Sequence, residues 1–317
     1  MVMRRTIGWM LLATALAALG MWQASATRHL PGKTPAPGNP KALRIASLTL
    51  ASDEILSQLV PAERLACVTY LADDPEISNV PDFYPARIPR LRDRDLERIL
   101  ALEPDLVCVA PYNSADFLKM IERSGIAVYR SEAFHTIDQI EAGILELSHR
   151  VGEPERGREI QARMHARRAE LANRLRGIAR RPGVLFWSGG FTSGKNTTID
   201  DIIREAGGVN LAAGRGLSGP AEISPEQVIA ADPEIVLLSQ WTAGNAEGDI
   251  KRHPLLRNLP AVREHRLIVI EGRYLSSVSQ FAVEGIERLA RKLHPDRFTA
   301  ADQAGSHPTA GALRTAR

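Results

Sequence analysis

The sequence predicts an α/β fold of two similar lobes on parallel sheets, joined by a long α-helix, with a ligand cleft between the lobes. Three observations carry this. A helix-to-strand unit occurs twice, strands and helices alternate on both sides of a central segment, and that segment has the three-to-four-residue apolar period of a helix.

The repeated unit runs from Asp95 to Val107 and again from Ser224 to Val236, without a gap, at an offset of 129. Each copy opens on a helix N-cap type, Asp95 or Ser224. Each then has a Glu two positions later, an apolar pair, an acid-Pro-acid step and an apolar run. The local reading is a short amphipathic helix, stopped near the Pro and leading into a strand. Pro225 suits the first helical position of the second copy, where no hydrogen bond is lost. A first-turn carboxylate complements the helix dipole by roughly 0.3–1 kcal/mol. That accounts for Glu97 or Glu226 alone, but not for both at one place of a repeated unit.

Taken in order, residues 1–26 have the marks of a cleaved secretory signal. Arg4 and Arg5 precede an apolar run from Ile7 to Leu19 and the small-x-small site Ala24-Ser25-Ala26. The run is short for a hydrocarbon core of ~30 Å, which favours cleavage over anchoring. No Cys stands near that site, so a free periplasmic protein is expected. Residues 27–42 form a flexible, Pro- and Gly-rich linker. The first lobe is set at 43–137, with strands at Leu43–Leu48, Leu65–Tyr70, Leu106–Val109 and Ala127–Tyr129 and helices at Ser52–Leu59 and Ala115–Ser124. The stretch from Asp73 to Arg92 holds four prolines and no period, as a functional or mobile loop does.

Residues 138–182 form the connecting helical backbone. Ile140, Ile144, Leu147 and Val151 recur at helical spacing, and so do Ile160, Met164, Leu171 and Leu175. A helix from Pro154 to Ala179 would be ~39 Å long, too long for a crossover inside a small lobe. Its arginines, Arg163, Arg167, Arg168 and Arg174 among them, read as a wet face. The second lobe is set at 183–294, with strands at Val184–Trp187, Ile235–Leu238 and Leu267–Ile270 and helices at Ile199–Ala206 and Val278–Leu293. Residues 295–317 are rich in Gly, Ala, Ser and Thr and are expected to be disordered.

The formal charge is +3, and +1 once Arg4 and Arg5 leave with the signal, which gives no case for nucleic acid. Gly189 to Lys195 has the Gly-x4-Gly-Lys spacing of a phosphate loop, which would make an enzyme acting on a nucleotide or chelate the alternative reading. Asn196 follows, however, where magnesium needs Ser or Thr. Neither of the best later candidate strands, Ile235–Leu238 or Leu267–Ile270, ends in the Asp that would hold the metal. The preferred reading is a loop at a strand's C-terminal end, facing the cleft. The eight His residues form no HxH or HExxH pattern, and no catalytic triad emerges, so no protein-held metal and no catalysis are expected. His135 reads as an ordinary polar residue. Cys67 and Cys108 fall in strands of one lobe. A disulfide stays open in an oxidising compartment, although parallel-sheet geometry favours two buried thiols.

The two Glu units, Phe191-Thr192-Ser193-Gly194-Lys195 and Ala206-Gly207-Gly208-Val209-Asn210-Leu211 resemble the periplasmic substrate-binding proteins of ABC importers for vitamin B12, iron-siderophores and haem. The similarity to the B12-binding member covers roughly Arg44 to Pro295. The resemblance implies a rigid helical backbone and small hinge motions. It implies a metal chelate as cargo, such as a corrinoid, ferric siderophore or haem, and no cofactor. It implies delivery by a monomer to an inner-membrane permease dimer, with one Glu per lobe docking on permease arginines. The matching positions are Glu97 and Glu226. Tyr70 matches a ligand-contacting Tyr and Phe191 a cleft aromatic. Two cleft tryptophans of the B12-binding member correspond to Leu91 and Pro220, a departure that bears on B12 itself and not on transport.

A flat macrocycle wants aromatic walls and a few polar contacts. The candidates are Tyr70, Tyr112, Phe191, Trp241 and Tyr274, with donors from Thr192, Ser193 and Lys195. Arg273, with Arg92, Arg94 and Arg215, would serve an anionic cargo.

Overall fold

The computed structural model describes residues 43–132, 134–240 and 245–299. The signal, the linker, Trp241 and the chain beyond residue 299 lie outside the described residues.

The first sheet is built from β1 (Ile45–Ser47), β2 (Leu65–Thr69), β3 (Arg90–Leu91), β4 (Leu106–Val109) and β5 (Ala127–Arg130), in the order β3-β2-β1-β4-β5 and parallel throughout. Near-continuous apolar runs build it, as a sheet covered on both faces requires. Helices α1 (Leu50–Leu59), α2 (Leu96–Ala101) and α3 (Ala115–Ser124) connect the strands. Thr49 caps α1 by accepting from the Ser52 amide, so the helix starts two residues before the expected Ser52. Arg90 stitches the Pro-rich loop by donating to the carbonyls of Tyr84, Pro85 and Ile88 and to Asp73.

The second sheet holds β6 (Gly183–Trp187), β8 (Val209–Asn210), β10 (Ile235–Gln240) and β11 (Leu267–Glu271) in the order β11-β10-β6-β8, again parallel. A separate antiparallel pair joins β7 (Phe191–Ser193) and β9 (Pro220–Glu222). The helices of this lobe include α6 (Thr198–Glu205), α7 (Leu211–Gly214), α8 (Pro225–Ala231), α9 (Ala246–Arg252), α10 (Pro260–Arg263), α11 (Gly272–Leu275) and α12 (Ala282–Leu293). The order β2-β1-β4-β5 in one sheet matches β8-β6-β10-β11 in the other. Two lobes of one topology are therefore present, as the repeat implied. The expected closing helix starts four residues late, because Ser277, Ser279 and Gln280 are spent on side-chain bonds to the other lobe.

Between the lobes stand α4 (Ile137–Arg150) and α5 (Pro154–Arg174), packed side by side after a turn at Gly152, φ 76°. Gly157 lets them close up, since a Cβ there would lie 2.1 Å from Ser148 Oγ. Helix α5 has 21 residues and is therefore ~31 Å long. It is shorter than the expected run to Ala179, because Gly177 turns the chain at φ 71°.

Arg167 and Arg168 leave the expected wet face of α5, while Arg158 and Arg163 stay exposed on it. Arg156 Nη1 donates to the Leu59 carbonyl at 3.1 Å and Arg163 to Gln58 at 3.0 Å, both at the end of α1. Arg167 pairs with Glu284 at 2.9 Å and Glu287 at 2.8 Å on α12. Arg168 pairs with Glu205 of α6 at 2.7 Å and Glu141 of α4 at 2.8 Å. One helix is thus riveted to both lobes. Helical periodicity showed which face was polar, but not that buried acids elsewhere met it.

Residues 295–299, the described part of the expected tail, are ordered: Phe298 packs on the core with Arg174 over its ring at 5.8 Å. Cys67 and Cys108 are buried free thiols. Strand β1 lies between theirs, Ala46 facing Cys67 and Ser47 facing Cys108. Two strand spacings put them roughly 10 Å apart, beyond disulfide reach.

Candidate functional site

The two Glu units start their helices and their strands in one register, although Ser224 caps its helix with its side chain and Asp95 does not. Helix α2 opens at Leu96 and α8 at Pro225, and the strands that follow open at Leu106 and Ile235, each pair offset by 129. The second acid of each acid-Pro-acid step has a structural task. Asp105 Oδ2 accepts from the Arg44 amide at 2.7 Å, just before β1. Glu234 Oε1 accepts from the Gly183 amide at 3.0 Å, at the start of β6. Each ties its own strand to the strand alongside.

Glu97 and Glu226 have no such task. Both are exposed in the first turn of their helix, and neither forms an ion pair among the described residues. The Glu226 carboxyl is held below its ordinary range by its own backbone amide and by the Ser224 hydroxyl.

Ligands of open α/β sheets sit at the carboxyl ends of the strands. Tyr70 follows β2, and Arg92 follows β3, which is paired to β2 through Thr69 and Leu91. The Arg92 guanidinium lies 3.4 Å from the Tyr70 ring centroid, a close cation–π contact. Tyr70 is 40% exposed. Tyr112, beyond β4, is 56% exposed and meets Phe134 edge-on at 6.2 Å between centroids. At the second lobe's strand ends stand Phe191, half-buried, and Lys195, exposed. Arg273, beyond β11, donates from Nη1 to the Pro75 carbonyl of the first lobe at 3.2 Å, so it already bridges the lobes.

Three expected contacts are placed otherwise. Thr192 is 1% exposed, and its hydroxyl donates to the Phe186 carbonyl at 2.7 Å. Ser193 is buried, with its carbonyl accepting from Asn210 Nδ2 at 2.9 Å. Both hold the β7 hairpin in place. Tyr274 is buried between the guanidinium groups of Arg288 and Arg273, at 4.0 and 4.8 Å from its ring. Sequence reasoning did not place Phe134 beside Tyr112.

The Gly189–Lys195 segment is a strand of a hairpin and not a phosphate loop. Three of its amides are taken: Phe191 N donates to Ser188 O, Gly194 N to Gly219 O and Lys195 N to Leu217 O. A phosphate cradle needs those amides free. Among the described residues, no three His, Cys, Asp or Glu side chains gather as a metal site.

Twin parallel sheets and a riveted helical connection define a two-lobed α/β binding-protein fold. A profile of the family described as periplasmic binding protein matches residues 45–274. The chain belongs to that family. It is 28% identical over 217 residues to the vitamin B12-binding protein of Vibrio campbellii, covering 65% of this chain and 74% of that one. It is 24% identical over 206 residues to the cobalamin-binding protein of Halobacterium salinarum, covering 63% of this chain but spanning only 56% of the relative. Among solved structures, the periplasmic heme-binding protein of Roseiflexus sp. RS-1 in apo form superimposes with a TM-score of 0.69 at 27% identity, covering 81% of this chain and all of that one.

Proposed function

We propose that this chain is an exported receptor that captures a metal chelate between its lobes and delivers it to an ABC-importer permease dimer, with no chemistry of its own. The chelate is of the corrinoid, ferric-siderophore or haem class, in keeping with relatives named for cobalamin and a neighbour named for heme. One observation carries the delivery half: Glu97 and Glu226 occupy one position of a twinned unit, both exposed and neither in an ion pair among the described residues. The capture half leans on Tyr70, Tyr112 and Phe191 as apolar walls, with Lys195 and Arg273 as cationic contacts. The Tyr70–Arg92 stack favours a ring that carries carboxylates, because the guanidinium edge keeps donors free for an anion.

Thermal-shift titration with hemin, cyanocobalamin, cobinamide and ferric siderophores tests the capture half. A cargo at 100 times its Kd adds about 2.7 kcal/mol to stability. A shift with one probe that Tyr70→Ala abolishes is the expected result. No shift with any of these probes counts against the reading.

A further inference from the structure

Away from the strand ends, one buried side chain gathers the two lobes. Glu54 lies on α1 and is 2% exposed. Its Oε1 accepts from the backbone amide and from the side-chain Nδ2 of Asn79, both at 2.9 Å. Asn79 belongs to the loop after β2, in the same lobe. Its Oε2 accepts from the second lobe, from Ser277 Oγ at 3.2 Å and from the Ser279 hydroxyl. Gln280 Nε2 donates to the Glu54 main-chain carbonyl at 2.7 Å. The circuit closes through Asn79 Nδ2, which also donates to the Arg273 carbonyl at 3.0 Å.

All these donors are neutral, and Glu54 has no ion-pair partner among the described residues. A carboxylate in such a place needs both oxygens filled, or burial drives it to its neutral form. Here four donors fill them, and two of the four come from the other lobe. Pull the lobes apart and Oε2 loses its partners. Asn79 Oδ1 and Gln280 Oε1, beside them, accept from no protein donor among the described residues. Closure therefore rests on the carboxylate's donors.

We propose that Glu54 is an inter-lobe latch, a buried carboxylate that sets the angle between the lobes, and so the width of the cleft, by collecting donors from both. This does not depend on which chelate is carried, or on whether one is carried at all.

Spin labels at Glu97→Cys and Glu226→Cys, one per lobe, read the inter-lobe distance without any cargo. Cys67 and Cys108 are buried, and burial pushes the Cys67 thiol up to about 12, so neither competes for label. Glu54→Gln keeps the shape but turns an NH2 toward donors. The latch requires a longer or broader distance distribution in Glu54→Gln and in the Ser277→Ala, Ser279→Ala pair. Asp53→Asn is the control, because the Asp53 carboxylate accepts, among the described residues, from Thr69 and Ser47 within its own lobe. An unchanged distribution in the folded serine pair overturns the proposal, and so does an equal change in Asp53→Asn. If Glu54→Gln does not fold, the serine pair decides alone.

Discussion

Glu103 and Asp232, 129 positions apart, adopt the same left-handed backbone, at φ 48° and 44°. Each stands directly before a proline, Pro104 or Pro233, which disfavours the right-handed helical conformation for its predecessor. The left-handed turn ends the helix and aims the chain into β4 or β10. A side chain held there costs roughly 1–2 kcal/mol. Replacing Asp232 by Val should therefore destabilise the second lobe by about 1–2 kcal/mol, since β-branched residues tolerate this region least. Asp232→Gly should be neutral or stabilising. Urea unfolding of the pair, repeated at Glu103, checks this, and equal effects of Val and Gly would contradict it.

The twinned glutamates make the sharpest functional expectation. In Glu97→Ala plus Glu226→Ala, chelate affinity should stay within a factor of two of the parent, while permease-dependent uptake falls to background. Equilibrium binding and uptake by cells or proteoliposomes separate the two. Parallel loss of both would place the carboxylates in the cargo site and end the docking role.

Much of this was legible in the sequence. The offset of 129 foretold the twin topology, because acid-Pro-acid forces one backbone turn and the following apolar run builds one strand. Exposure of Glu97 and Glu226 followed from their place in the first turn. What stayed hidden depends on long-range partners. Thr192 looked like a cleft donor because local pattern cannot show that the Phe186 carbonyl takes its hydroxyl. Tyr274 looked like a cargo wall because nothing nearby tells that Arg288, on α12, covers it. Arg167 of α5 looked solvated because Glu284 and Glu287 lie more than a hundred residues away in the chain.

That arginine leads to a stability expectation. Arg167 faces two nearly buried carboxylates, Glu284 and Glu287, with 9% and 8% of their side chains exposed. Removing the guanidinium leaves each acid with one arginine partner fewer in a poorly hydrated seam. Loss of one partner of a buried pair costs about 3–5 kcal/mol, and partial exposure of Arg167 places Arg167→Ala near the lower end, at about 3 kcal/mol. Glu284 keeps Arg288 and Glu287 keeps Arg291, which moderates the loss. Arg167→Met, of similar reach, should recover little, because it restores packing and not charge. Thermal and denaturant unfolding decide this, and a cost below about 0.5 kcal/mol, the usual worth of a surface pair, would refute the rivet.

Asp53 and Glu54 set a pH dependence whose sign can be worked out. Burial lifts both carboxyls above their ordinary values, against the hydrogen bonds that each accepts. A folded state that holds a proton more tightly than the unfolded chain is favoured where that proton is bound in both. Relative stability is therefore greatest below the ordinary carboxylate range. It declines as pH rises from that range through the raised folded values, by up to about 1.4 kcal/mol per pH unit for each group within its window. Above the window the decline stops. Asp53→Asn removes one titrating group, so the stability of the parent minus that of the variant should fall with rising pH across this window and then level. Urea unfolding of both proteins in steps from acid to neutral pH measures the difference. A difference that rises with pH instead would mean that the Thr69 and Ser47 hydrogen bonds outweigh burial at Asp53.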